Sequence, residues 1–374
     1  MEIQMVDLKN QYLKIKTEID QAIQNVLNSS QFIKGPYVHQ FEQELSDYLN
    51  CKHVISCGNG TDALQIALMA LELKEGDEVI VPTFTYVATA EVIALLKLKP
   101  VMVDVDPNTF NLSDEHIKNK ITPATKAIIP VHLFGQSADM EPIVKLAQQN
   151  QLYIIEDNAQ AIGAEYTFSN NETKKTGTIG VIGTTSFYPS KTLGCYGDGG
   201  AINCNDDDLA QKIRMISNHG QTKTYYHEQI GVNSRLDAIQ AAILSVKLKY
   251  LDKYINARQE VAAYYDKALA PLSEVNLPYR IHNSSHVFHQ YTLKVTKDSR
   301  NELRAFLSEK KIPTMIYYPL PLYRQKAFFD PSIDANEFPN TNELCDTVIS
   351  LPIHTEMNNE ILDYISSSVK EFYR

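Results

Sequence analysis

The chain has 374 residues, 44% of them hydrophobic and 21% charged, with a formal net charge of −10. That length exceeds one ordinary core and fits a large domain with a smaller one, expected at residues 1–254 and 255–374. The basic residues are scattered rather than massed on one stretch, which excludes nucleic acid as a partner. No run of roughly 18 apolar residues offers a membrane span. The start, Met1-Glu-Ile-Gln-Met-Val-Asp7, lacks a basic-then-apolar leader, so a cytoplasmic protein is expected. The odd number of cysteines (Cys51, Cys57, Cys195, Cys204 and Cys345), with no C-x-x-C pair, fits a reduced compartment.

Apolar residues at helical spacing, Ile15, Ile19, Ile23 and Val26, predict a helical start. The loop Ser30–Pro36 ends that helix, and a second is expected from Val38 to Tyr48. From Val54 to about Cys204, β and α patterns alternate. Strands are predicted at Val54–Ser56, Asp77–Val81, Lys99–Val105, Lys126–Val131, Tyr153–Glu156, Thr184–Tyr188 and Gly200–Cys204. Helices are predicted at Thr61–Leu73 and Ala88–Leu96. Several strands are continuous apolar runs, as strands buried on both faces should be. The pattern predicts an α/β fold with a mostly parallel, doubly wound sheet. Ser169–Gly177 reads as a hairpin tip. A long helix beginning near Ala238, with Ile239, Ala242, Ile243, Val246 and Tyr250 on one face, leads into the second domain. There Tyr291–Val295 reads as a strand and Arg300–Lys310 as a helix. His282, His286 and His289 have a spacing open to a metal, but no carboxylate lies near, and no metal site is expected.

Chemistry concentrates at a few stations. Gly58-Asn-Gly-Thr-Asp-Ala-Leu64 follows a short strand and opens a helix, so the N–H groups around Gly60 and Thr61 can serve an anion or simply an N-cap. Asp62 would repel an anion unless only its N–H faces in. Tyr86 follows the strand before it, either as a core residue or as an aromatic that stacks on a flat ring. Asp157 ends an apolar strand, where an open sheet places ligand-facing groups. It is either a helix N-cap or a carboxylate awaiting a cationic partner. Gln160 follows three residues later. Ser186 lies five residues before Lys191, and Lys191 precedes a turn with Gly194, Gly197, Gly199 and Gly200 that lets backbone approach a flat ligand. A lysine able to form a Schiff base and an aspartate able to hold a protonated pyridine nitrogen are the minimal kit for pyridoxal 5'-phosphate. In Gly231-Val-Asn-Ser-Arg-Leu-Asp237, Asn233 and Arg235 can point the same way on an extended loop. Arg235 is either an anion receptor or the surface partner of Asp237.

These segments in this order resemble the DegT/DnrJ/StrS family of pyridoxal-phosphate sugar aminotransferases. The resemblance runs from Val6-Asp-Leu-Lys9 and Phe32-Ile-Lys-Gly-Pro36 through Asn59-Gly-Thr-Asp-Ala-Leu64, Glu156-Asp-Asn-Ala-Gln160 and Ser186-Phe-Tyr-Pro-Ser-Lys191 to Gly231-Val-Asn-Ser-Arg235. It implies the fold-type-I architecture of the aspartate aminotransferases: a large domain on a seven-stranded-type sheet and a smaller α+β domain. It implies Lys191 as the Schiff-base lysine, Asp157 as the pyridine partner and Tyr86 as the stacking aromatic. Gly60, Thr61, Asp62, Gln160 and Ser186 complete the cofactor site, with Asn233 reaching over from the other subunit of a homodimer. Some relatives carry histidine at the lysine position and dehydrate sugars instead; lysine favours transamination. A non-catalytic sensor on the same fold is the other rival reading.

Within the family, Pro189-Ser-Lys-Thr-Leu-Gly-Cys-Tyr-Gly-Asp-Gly-Gly200 and the segment from His219 to Asp237 resemble the branch that aminates C3 of UDP-2-acetamido-3-keto-glucuronate for O-antigen synthesis. L-glutamate is the implied amino donor. Arg235, Tyr317 and Tyr318 would then lie near the sugar. In Ile316-Tyr-Tyr-Pro319, however, Tyr317 stands where that branch has histidine. A phenol cannot become cationic, so a dTDP-linked 3-keto-6-deoxyhexose competes with the uronate.

Overall fold

The computed structural model describes residues 3–374. Seven strands form the main sheet: β1 (His53–Cys57), β2 (Glu78–Pro82), β3 (Lys99–Val103), β4 (Thr125–Ile128), β5 (Tyr153–Asp157), β6 (Ile182–Ser186) and β7 (Gly200–Cys204). Their order across the sheet is β1-β7-β6-β5-β4-β2-β3. All point one way except β7, which runs antiparallel to both β1 and β6. Period-two alternation explains the continuous apolar runs. On β2, Val79 and Val81 enter one core cluster while Ile80 enters another on the opposite face. Helices Gly60–Ala70, Ala88–Leu95 and Asp207–Ile216 cover the first face, and Met140–Asn150 covers the second.

Predicted strand ends shift by a few residues, each for a local reason. β4 stops at Ile128 because Pro130 has no N–H for a ladder, although its carbonyl still accepts from Asp157 N at 2.9 Å. β6 lies at Ile182–Ser186 rather than at 184–188. Its register is fixed by the pairing of Asp157 with Thr184. It also contains Gly183, where a Cβ would sit 1.9 Å from the Gly177 carbonyl oxygen. A strand glycine required by a close backbone approach is invisible to propensity, whereas the aromatics Phe187 and Tyr188 read as strand but belong to the following turn.

The N-terminal helices are Leu8–Lys14, Lys16–Ser29 and Pro36–Leu49. The hairpin of Glu165–Thr167 with Thr173–Lys175 forms at the predicted tip. The expected long helix is two, Ala238–Leu248 and Leu251–Leu269. The second runs through the position where a domain boundary is expected. Its Ile255 packs with the large sheet's helices, and its Val261, Ala262, Tyr265 and Leu269 pack with a second core. That second core surrounds a three-stranded antiparallel sheet of β8 (Val275–Asn276), β9 (Tyr291–Val295) and β10 (Val348–Leu351). Helices Lys297–Glu309 and Asn359–Phe372 pack against it. Among the described residues, no helix is long and apolar enough to cross a membrane.

Glu156 ties β5 to the turn that leads into β6. Its fully buried carboxylate accepts from the backbone N–H groups of Gly177 (2.8 Å), Ile179 (2.6 Å) and Gly180 (2.6 Å). His132 donates to it through Nε2 at 2.8 Å, because its Nδ1 is the acceptor of Ala138 N–H at 3.1 Å. Removing such a carboxylate strands several buried donors, each of which costs free energy when unpaired. Glu156→Ala should therefore lose about 3 kcal/mol or more of stability in urea unfolding. A loss below about 1 kcal/mol would mean that the 177–180 turn is held by other contacts.

Candidate active site

The parallel strands bring the predicted stations to one edge of the sheet. β1 leads into the Gly58–Asp62 turn, β2 into Tyr86, and β5 and β6 end on Asp157 and Ser186. A cleft of about 850 Å³ opens there, lined among others by Gly60, Thr61, Asp62, Tyr86, Asp157, Gln160, Ser186, Lys191, Tyr317 and Tyr318. Such a crevice beyond the carboxyl ends of the strands is where open α/β sheets bind ligands.

Lys191 rises from a turn in which its own N–H donates to Tyr188 O at 2.8 Å. The turn folds tightly: a Cβ on Gly194 would lie 2.4 Å from Pro189 O. From the helix behind, the buried Lys247 donates to Gly194 O and fixes that end of the loop. Burial lowers the Lys191 pKa to about 8, and the negative charge of Asp157 opposes the fall. At neutral pH the amine thus has a far larger neutral fraction than an ordinary lysine, as a nucleophile requires.

Asp157 is only 6% exposed. Thr89 donates to its Oδ2 at 2.8 Å and Ala159 N–H to its Oδ1 at 3.2 Å. No helix starts here, so the N-cap reading fails and the carboxylate presents itself to the cleft. Gln160 is oriented from both sides. Its Oε1 accepts Phe134 N–H at 2.8 Å, which turns its amide NH2 toward Tyr318 Oη at 3.2 Å and into the cleft.

The turn at Gly58–Asp62 is both an N-cap and an open donor site. Asn59 caps helix Gly60–Ala70 by accepting Asp62 N–H at 2.8 Å. The N–H groups of Gly60 and Thr61 have no acceptor among the described residues. The Asp62 carboxylate is turned aside and accepts from Ser234 Oγ–H at 2.6 Å, though its charge still lines the cleft. The Asp62 N–H is spent on the cap, however, so it is not the free donor expected from the sequence. Gly60 is required sterically, since a Cβ there would fall 2.7 Å from Cβ of Ser186. Tyr86 is 59% exposed and is therefore not a core residue. Its ring lies 6.4 Å from that of Tyr318, which in turn packs edge-on against Phe84.

Asn233 and Arg235 are not brought to this cleft within one chain. Asn233 is exposed, and Arg235 lines a separate pocket with Lys34, Glu42 and Arg214. No ion pair joins Arg235 to Asp237 among the described residues; Asp237 instead bridges by its backbone to Ile33. The three spaced histidines also separate. His286 stacks on Phe288 at 3.9 Å, whereas His289 forms part of the cleft wall. His289 is 6% exposed with an unpartnered Nδ1, and burial beside Lys191 and Arg258 holds its pKa well below the usual value. Thr85, Thr89, Tyr188 and Gln290 escaped the sequence reading, and His289 entered it only as a metal candidate. Thr85 and Thr89 had a signal in their closeness to Tyr86, and Tyr188 in its place within Ser186–Lys191.

Known proteins with this arrangement decide the family. Residues 13–370 match the DegT/DnrJ/EryC1/StrS aminotransferase family. The chain belongs to it. A UDP-2-acetamido-2-deoxy-3-oxo-D-glucuronate aminotransferase from Pseudomonas aeruginosa is 46% identical over 98% of this chain and 99% of its own length. A pleiotropic regulatory protein from Geobacillus stearothermophilus is also 46% identical, over 100% of this chain and 99% of its own. The crystal structure of DesV from S. venezuelae superposes with a TM-score of 0.95 at 36% identity, covering 99% of this chain and 98% of that one. The architecture is that of pyridoxal-phosphate aminotransferases, and the cofactor of this aminotransferase is pyridoxal 5'-phosphate. The cleft fits it: a buried amine, an oriented carboxylate, free N–H groups with the Thr61 and Ser186 hydroxyls, and the buried, unpartnered Thr85 Oγ1.

In cofactor-free protein, labelling of Lys191 by an amine-selective reagent, followed by peptide mass spectrometry, should titrate with a midpoint of about 8. Asp157 favours the ammonium form, so Asp157→Asn should move that midpoint lower. A midpoint near the ordinary lysine value would show the amine to be solvated.

Proposed function

We propose that this aminotransferase moves an amino group from L-glutamate to the C3 keto carbon of a UDP-linked 2-acetamido sugar, in a homodimer that makes surface-polysaccharide precursors. The observation that carries the reading is the cleft itself, where the one lysine has a depressed pKa and faces an oriented aspartate. The P. aeruginosa relative named for a UDP-linked 3-oxo sugar, at 46% identity, supports the substrate class.

In this reading Asp157 holds the pyridine nitrogen protonated, and Tyr86 covers the ring. The Gly60 and Thr61 N–H groups bind the phosphate with the Thr61 and Ser186 hydroxyls, at the positive end of helix Gly60–Ala70. The cofactor, when bound, supplies an electron sink for the carbon that loses a proton. Lys191 Nζ is the base that would take that proton and deliver it two atoms away, on the cofactor side of the transferred nitrogen, a task suited to a pKa near the working pH. Donor and keto-sugar use the cleft in turn. Asn233 and Arg235, absent from the cleft of their own chain, would serve the site of the other subunit.

Tyr317 favours a second reading of the sugar. It lines the cleft, and burial pushes its phenol pKa up, so it stays neutral and offers a uronate carboxylate no charge. A dTDP-linked 3-keto-6-deoxyhexose carries no such carboxylate.

A visible spectrum of the protein with pyridoxal phosphate, before and after L-glutamate, tests the donor and the class together. Glutamate should convert the lysine-linked cofactor to its pyridoxamine form, and Lys191→Ala should abolish turnover while leaving the fold intact. A spectrum unmoved by glutamate would exclude it as donor; turnover by Lys191→Ala would remove that residue from the chemistry. For the sugar, Arg235→Ala should weaken a uronate substrate by about tenfold or more in kcat/KM relative to a neutral 6-deoxy sugar. Equal losses would take Arg235 out of carboxylate recognition.

A further inference from the structure

Two polar groups of complementary kind line the cleft without a hydrogen-bond partner. His289 is only 6% exposed, and its Nδ1 is buried and unpartnered. Lys191 is the one cation among the described lining residues. Burial and the charge of Asp157 set its pKa, and no side-chain hydrogen bond contributes. We propose that His289 is a positioning residue for Lys191, its neutral imidazole accepting a hydrogen bond from the free amine and fixing where that amine rests. The proposal rests on the reading of Lys191 as the reacting amine.

The backbone that carries His289 is held from two sides. Val287 N–H donates to Gly135 O at 2.8 Å, and Gln290 N–H to Phe134 O at 3.2 Å. Gly135 has φ +107°, and a Cβ there would lie 2.9 Å from the backbone nitrogens of both Phe288 and His289, so the approach requires glycine. Phe288 is itself left-handed, with φ +51°, and its N–H donates to His286 Nδ1 at 3.0 Å. From helix Leu251–Leu269 the buried Arg258 donates to the carbonyls of Phe288 (3.1 Å), His289 (3.4 Å) and Ile353 (3.1 Å). The imidazole thus stands on a rigid mount, whereas the lysine has a flexible four-carbon stem.

The same surroundings keep the ring neutral. Burial, Lys191 and Arg258 all hold the His289 pKa well below the usual value. His289 therefore stores no proton near neutral pH, but a neutral ring still has one acceptor nitrogen. The nearby amide of Gln160 is committed to Phe134 N–H and Tyr318 Oη. The other titratable groups of the wall are Asp62, Asp157 and Asp198 and the phenols of Tyr86, Tyr188, Tyr317 and Tyr318, so no second cation competes for the acceptor. A carboxylate in the place of His289 would hold the lysine as ammonium. A neutral acceptor orients it with a much smaller effect on its pKa.

The test uses the full chain loaded with pyridoxamine phosphate, in which Lys191 is free. Its labelling by an amine-selective reagent is followed against pH by peptide mass spectrometry. His289→Phe should lower the midpoint by about one pH unit, because the ammonium loses an acceptor while no charge changes. His289→Asn keeps an acceptor on a short side chain and should restore most of the shift. In turnover, His289→Phe should lower kcat about tenfold and leave KM for L-glutamate unchanged. A midpoint unmoved by His289→Phe would overturn the proposal. So would equal falls in both variants, which would make the effect one of packing, or a raised KM at constant kcat, which would put the ring on the substrate. The natural protein gives a further check that needs no variant to fold. The nitrogen NMR signal of His289 Nδ1 should move as Lys191 titrates, while the ring gains no proton; a signal indifferent to that titration would also refute the contact. Failure of the aminotransferase reading would show instead as turnover by Lys191→Ala, and neither the labelling nor the NMR titration requires turnover.

Discussion

Strand β5 ends in two adjacent carboxylates whose environments are opposite, and the architecture of the cleft rests on keeping them so. Successive strand residues face opposite sides of a sheet. Glu156 therefore points into the protein, where three backbone N–H groups and His132 saturate it. Asp157 points out, oriented by Thr89 and Ala159 alone. A register slip of one residue would exchange them, leaving a buried aspartate without its donors and an unanchored glutamate in the cleft. The turn at 177–180 that Glu156 holds also sets where β6 begins, and β6 carries Ser186 and then Lys191 into place.

A second constraint is electrostatic. Lys191 is shielded enough for burial to outweigh the attraction of Asp157. The loop that carries it is held from behind by Lys247, itself buried and bonded to a carbonyl rather than to a carboxylate. The cleft so built is acidic apart from that one amine. It can hold a cationic ring and exchange protons with it, but it offers an anionic substrate little charge. Two further cations, Lys34 and Arg235, lie in another pocket of the same chain.

Much of this was legible in the linear order of residues. Lys191 with its glycine-rich turn, Asp157 at a strand end, the Gly60–Thr61 turn and the alternation of apolar runs all lie within local windows, and local windows report periodicity, turns and caps well. They predicted the parallel sheet, and the cleft at the ends of its strands gathers those stations. Where local reading failed, the cause was a contact with something distant in sequence. β6 was displaced because Gly183 must make room for the Gly177 carbonyl and because its register follows Asp157. The direction of the Asp62 carboxylate is likewise set by Ser234, far along the chain, a contact that no local window contains.

The nature of the chemistry was thus fixed by residue type and spacing: an amine, a carboxylate, an aromatic and an anion-binding turn in a set order. Which groups actually share a space was settled by folding. His289 joined the cleft and left His286 behind, Arg235 parted from Asp237 to stand beside Lys34, and Glu156 rather than Asp157 became the structural carboxylate. The physical reason is that pairing, burial and shifted pKa values arise between elements packed together across long stretches of chain, and no short window of sequence contains both partners.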